Sequence, residues 1–147
     1  MAFHDDLLEQ ALHLARRDRK RPKQASLRRA VSTAYYALFH LLVSEAVGSW
    51  KVKYQRPSLA RAFDHGRMKS ASLKCKSANT DLRAVASAFV ELQQSRHLAD
   101  YDNAKMWTRV ETIELIDMAA GAFKDWTAVR GQRIAQDFLL SLLIDRK

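Results

Sequence analysis

Two segments of this chain gather side chains able to do chemistry. The first is Arg29-Ala-Val-Ser-Thr-Ala-Tyr-Tyr-Ala-Leu-Phe-His40. Within and just beyond it, Arg29, Thr33, Tyr36, His40 and Ser44 follow in steps of four, three, four and four. On a helix that spacing lines one face. The residues between are apolar, so the stripe must either find partners in a core or line a cleft. The second segment is Arg96-His97-Leu98-Ala99-Asp100-Tyr101-Asp102. Arginine presents a planar fork that matches phosphate oxygens, and histidine exchanges a proton near neutral pH. Each segment also has a plainer reading. Tyr35, Leu38 and Phe39 suit a core, His40 suits a satisfied core histidine, and Arg96 and Asp100 are four apart, the spacing of a helix ion pair.

Other chemistries find no support in the pattern. Gly48, Gly66, Gly121 and Gly131 are scattered, so no glycine-rich phosphate loop exists. His-Glu-x-x-His and Glu-x-x-His spacings are absent, and His4-Asp5 is the one His-Asp pair, at a chain end. No metal or other cofactor is expected. Nothing in the sequence pairs a Ser or Cys nucleophile with a base.

The elements that must position these residues are helices. With 4 Gly and 2 Pro in 147 residues the chain is poor in breakers, and 48% of it is hydrophobic. The periodicity predicts helices over about 3–18, 26–46, 58–75, 80–96 and 108–130, and a last short one over 133–145. Ser26 is the expected N-cap of the second, with Gly48 as its stop. Thr108-Arg109-Val110-Glu111 is a capping box. Residues 49–57 and 99–107 read as loops. The second helix is apolar around most of its circumference and belongs at the centre of a bundle. The expected architecture is all-α: one domain over residues 1–147, an antiparallel bundle of about five helices plus a short C-terminal helix.

Charge is distributed unevenly. Sixteen of the 25 Lys and Arg, but only six of the 16 Asp and Glu, lie in residues 1–76. One cluster runs from Arg16 and Arg17 through Arg21 to Arg29, and another from Lys51 to Lys76. Such a one-sided positive field attracts a polyanion or an acidic partner. Cys75 is the only cysteine, which fits a reducing compartment. The acidic start and the short apolar runs match neither a signal peptide nor a membrane span, so a cytoplasmic location is expected.

Together, in this order and on these helices, the two segments resemble the HEPN family (higher eukaryotes and prokaryotes nucleotide-binding domain). The similarity is to small prokaryotic members with a Tyr-Tyr-Ala-x-Phe-His signature, here Tyr35-Tyr36-Ala37-Leu38-Phe39-His40. Those members carry a later Arg with Ala-Asp-Tyr, here Arg96 with Ala99-Asp100-Tyr101. The resemblance covers about residues 3–130. It implies a helical homodimer acting on RNA in a toxin–antitoxin or defence system, often beside a minimal nucleotidyltransferase antitoxin. In catalytic members an Arg, a spacer of four to six residues and a His meet across the dimer and cut RNA without a metal.

This chain departs from that spacing. Four residues past Arg96 the next position is Tyr101, His97 is adjacent and faces elsewhere, and Arg61 and His65 are separated by only three residues on a different predicted helix. Metal-free cleavage needs a base for the 2′-OH proton and a cation for the phosphorane. Arg96 suits the cation, and His40, His97 or Asp100 the base. Tyr101, with an unperturbed pKa of about 10, suits holding a phosphate or stacking on a nucleobase. RNA or nucleotide contacts are expected at Arg29, Thr33 and Tyr36, and at Arg16, Arg17 and Arg21. The alternatives are a non-catalytic dimeric module that binds the nucleotidyltransferase or a nucleotide, and a purely structural helical protein whose polar stripe is sealed in its core.

Overall fold

In a computed structural model, residues 2–144 are described, and all regular structure among them is helical. The elements are α1 (Phe3–Arg16), α2 (Gln24–Gly48), a single 3-10 turn (Lys53–Gln55), α3 (Arg56–Arg61), α4 (His65–Leu73), α5 (Thr80–Tyr101), α6 (Arg109–Val129) and α7 (Arg133–Leu143). Residue 145, placed by the sequence in the last helix, lies outside the described residues.

The residues of α2 dictate its place. Leu27, Ala30, Val31, Ala34, Tyr35, Leu38 and Leu42 are fully buried, and α2 touches α1, α3, α5, α6 and α7. By length and composition α2 could cross a membrane, and most of that apolar stretch is covered by protein. Phe89 and Leu92 of α5 and Trp126 of α6 complete the core around it. Small residues let the helices approach closely: Ala11 and Ala15 of α1 are fully buried against their neighbours.

Helix ends show where local signals compete with distant ones. The capping box forms as its residues imply: Glu111 N–H donates to Thr108 Oγ1, and Thr108 N–H donates to the Glu111 carboxylate. Ser26, in contrast, is not the N-cap of α2. It lies inside the helix, buried, and the cap position is Lys23. Asp18 accepts the Lys23 N–H at 3.0 Å, which orders the approach to the helix from outside it. That bond holds the Asp18 carboxyl below the ordinary carboxylate range. Gly48 is the last residue of α2 rather than a left-handed stop, and no described glycine has positive φ.

Two elements differ from the periodic reading. The expected helix over 58–75 is two helices, broken at Ala62–Asp64. Phe63 turns into the core there, and Asp64 caps α4 by accepting the Arg67 N–H at 2.9 Å. A short polar side chain that bonds to backbone ahead of it favours a new start over helix continuation. The break makes His65 the first residue of α4.

The other difference is that α5 continues five residues past Arg96, so the Asp100-Tyr101 step is helix rather than turn. The last carbonyls of a helix have no partner within it. Arg28 of α2 supplies one: its guanidinium donates to Ala99 O at 3.0 Å, Asp102 O at 2.8 Å and Lys105 O at 2.5 Å. Arg28→Ala therefore strands three carbonyls, and the expected loss is about 2–3 kcal/mol. Exposed Arg29→Ala, one residue on, should stay within about 0.5 kcal/mol. Urea unfolding of both variants checks this; equal stabilities would remove Arg28 from the account of how α5 ends.

Candidate functional site

Three helices bring polar side chains to one place. From α2 come Ser32, Tyr35, Tyr36, Phe39 and His40, successive turns of one helix. From α5 come Arg96 and Asp100, one turn apart. From the start of α4 comes His65, placed by the Asp64 cap.

Arg96 is the centre. Its guanidinium carbon lies 5.3 Å from the Tyr35 ring centroid and 5.7 Å from that of Tyr36. Its Nη1 is 3.5 Å from Asp100 Oδ2, and its side chain is only 11% exposed. Its Nε is buried with no hydrogen-bond partner. Ser32 Oγ donates to the same Asp100 oxygen at 3.5 Å. The carboxylate is therefore held at long distances by both neighbours, where charge-assisted bonds reach about 2.7–2.9 Å.

His65 lies across the cluster. Its Nδ1 is 2.5 Å from the Tyr35 hydroxyl, and its ring stacks on Phe39 at 4.4 Å between centroids. Tyr36 meets the same imidazole edge-on at 5.8 Å. Burial pushes the Tyr35 hydroxyl well above its usual value, so it keeps its proton despite Arg96 nearby. Burial also lowers the pKa of His65, and the Arg96 charge lowers it further, against a smaller opposing pull from Asp64. The ring is thus neutral at pH 7 and oriented through Nδ1. The Tyr35 contact is made at Nδ1, and in the tautomer whose Nδ1–H donates to the Tyr35 oxygen the ring's basic nitrogen is Nε2.

His40 adjoins this cluster. Its ring meets Phe3 at 4.9 Å and Phe39 at 5.2 Å, and Tyr36 lies one turn away at 6.3 Å. Burial lowers its pKa, and nearby His4 and His65 add to the effect.

The remaining expected site residues fall elsewhere. His97 and Tyr101 pair with each other on an exposed face of α5, centroids 5.0 Å apart, and touch none of the rings around Arg96. Arg29 is exposed and Thr33 half-buried on α2. Arg16 and Arg17 are exposed at the end of α1, and Arg21 in the connector after it. The polar stripe is not sealed in the core, because Arg29 and Ser44 at its ends are exposed. Arg109 donates to Ala15 O, Asp18 O and Arg19 O, which fixes the basic connector against α6.

His65 is the site residue that the sequence reading passed over. Its spacing from Arg61 carries no signal, and its true partners, Tyr35 and Arg96, are 30 or more residues away. No group of three or more His, Cys, Asp or Glu is arranged to hold a metal among the described residues. No protein-family model, curated protein or solved structure matches the chain.

The electrostatics are directly measurable. In a proton NMR titration His65 should titrate below the ordinary histidine value of about 6.5. Arg96→Gln, which removes the repelling cation, should move the His65 pKa upward. Because His65 and His40 take up protons less readily folded than unfolded, stability is full above the unfolded histidine pKa of about 6.5 and falls as pH drops below it. A His65 pKa unchanged by Arg96→Gln would show that the two groups do not feel each other.

Proposed function

We propose that this chain is a HEPN-like, RNA-directed protein of the toxin–antitoxin or defence type, with His65 and Arg96 as its phosphodiester-cleaving pair. One observation carries the reading. A neutral imidazole, held through Nδ1 by a protonated tyrosine, stands in the same cluster as a guanidinium whose Nε has no partner. The Arg and His that the sequence motif lacks at the usual spacing are here supplied by different helices.

The chemistry balances with these groups and water. In the tautomer whose Nδ1–H donates to the Tyr35 oxygen, His65 Nε2 carries the lone pair and takes the proton of a ribose 2′-OH. The 2′-oxygen attacks phosphorus while Arg96 steadies the added negative charge. The bond to the 5′-oxygen breaks, that oxygen takes a proton from water, the imidazolium returns its proton to the hydroxide so formed, and a 2′,3′-cyclic phosphate remains. Tyr35 orients the imidazole, and Tyr36 and Phe39 form the wall beside it. Arg96→Ala and His65→Ala each remove one of the two roles.

A second reading also has an observation in its favour. Arg96 is nearly covered and already faces Asp100. A non-catalytic module of the same fold, an antiparallel helical homodimer that binds a minimal nucleotidyltransferase or a nucleotide, needs no open guanidinium.

Cleavage of RNA by the purified protein in EDTA separates the two. Retained cleavage in the wild type, with a loss of 100-fold or more in Arg96→Ala and in His65→Ala, is the expected result; removal of a general base or an oxyanion donor costs about 10²–10⁴. Cleavage that persists in both variants would remove the site from the reaction. Folded wild type that cuts nothing but co-purifies with a nucleotidyltransferase would favour the binding module.

A further inference from the structure

The proposed reaction makes no use of the strap that joins α2 to α4. From Ala46 through Phe63 the chain holds Lys51, Lys53, Arg56 and Arg61 and no Asp or Glu. Trp50 and Tyr54 flank the two lysines, Lys51 and Lys53. Tyr54 is 83% exposed and Trp50 46%. Neither ring belongs to the buried core, and each leaves much of its surface to water beside cations.

The strap is held in place. Trp50 N–H donates to Val47 O at 3.0 Å, and its indole Nε1–H donates to Gln55 Oε1 at 2.9 Å. Arg56 Nε donates back to Trp50 O at 2.9 Å, and its Nη2 to Gly48 O at 3.1 Å. The 3-10 turn Lys53–Gln55 follows directly, so rings and cations are presented on a fixed backbone. Beyond it, α3 is six residues, about 9 Å long at 1.5 Å per residue. A three-residue break then leads into His65. The strap and the site are thus consecutive in the chain.

We propose that Trp50–Arg61 is a docking track for a single-stranded polynucleotide, with the Trp50 and Tyr54 rings stacking on bases and Lys51, Lys53 and Arg61 meeting phosphates. Two rings on either side of two lysines, with no acid among them, suit a strand that offers both open base faces and phosphates. A duplex hides its base faces and would leave both rings unused. A lipid surface would favour an aliphatic face to insert, and Val52 is the one exposed aliphatic side chain of the 3-10 strap before α3. The polynucleotide as ligand rests on the RNA-directed reading above, and the experiment separates the two.

Trp107 and Trp126 are 4% and 1% exposed, so stacking on tryptophan is reported by Trp50 alone. The test is titration of the full chain with oligouridylate and with oligothymidylate while tryptophan emission is followed. Both single strands should quench it, and Trp50→Phe should abolish the quench. Tyr54→Ala should weaken binding about tenfold, the loss of stacking on one base. Lys51→Ala/Lys53→Ala should lower the slope of log affinity against log salt by about 1.4, two phosphates at about 0.7 each.

Oligothymidylate, which has no 2′-OH to react, should give the full quench with the wild type. A quench with no cleavage would therefore retain the track and remove the reaction, and cleavage with no quench would do the reverse. Duplex RNA quenching as strongly as single strands would overturn the proposal. So would quenching by phosphatidylserine–phosphatidylcholine vesicles in place of the oligonucleotides, or Tyr54→Ala binding as tightly as the wild type.

Discussion

An arginine that cannot lose its proton is held almost out of water between two tyrosine rings and one loosely bound carboxylate. Removing a guanidinium from water costs several kcal/mol, and it cannot escape that cost by neutralising. The ring faces offset part of it, at about 0.5–2 kcal/mol each. The neighbours must accommodate the charge. Tyr35 is buried deeply enough to stay protonated beside a cation, and His65 is driven toward its neutral form by burial and by the cation together. A second positive charge at His65 would be repelled, and the geometry shows its ring within hydrogen-bond distance of the Tyr35 hydroxyl.

That arrangement depends on one helix serving as both wall and bracket. Tyr35, Tyr36 and Phe39 of α2 make the wall. Two turns earlier, Arg28 grips the end of α5, and Gln24 exchanges two hydrogen bonds with the Trp107 backbone at 2.8 and 2.9 Å. The far end of the bracket is therefore tied to the same helix that supplies the rings. Since Arg96 sits one turn before Ala99, the first of the carbonyls that Arg28 holds, the guanidinium's position relative to Tyr35 is fixed through α2 itself. At the other end of α2, Glu45 accepts from Trp126 Nε1 at 2.7 Å and from Arg130, which holds α6 in the same frame.

Local signals in the sequence were enough for the all-helical class and for the helix faces that carry Tyr36, His40 and Arg96. The apolar circumference of α2, the polar stripe through Tyr36 and His40, and the Thr108 capping box all depend on residues within a few positions of one another. The Arg96–Asp100 pair, four apart, does form. What could not be read was set by long-range partners. Nothing near Arg28 distinguishes it from exposed Arg29, yet its three carbonyl partners lie 71–77 residues away and lengthen α5 by more than a turn. His65 was hidden by the same kind of distance. A continuous helix over 58–75 puts it mid-helix, and only the burial of Phe63 and the Asp64 cap make it an N-terminal residue facing Tyr35.

Asp100 bears most directly on what the cluster can bind. It meets Arg96 and Ser32 at 3.5 Å each, the outer limit for such contacts, and about a third of its side chain faces water. A carboxylate so placed screens the guanidinium without satisfying it, and Nε has no partner at all. A phosphate carries more acceptor oxygens than a carboxylate and can meet an arginine fork at shorter, charge-assisted distances. On the proposed reading, exchange of Asp100 for a phosphate oxygen would replace a long contact at Nη1 with a short one. Asp100, on the same helix as the arginine it covers, can yield by a rotamer change of one exposed side chain, with no movement of the rings or of His65.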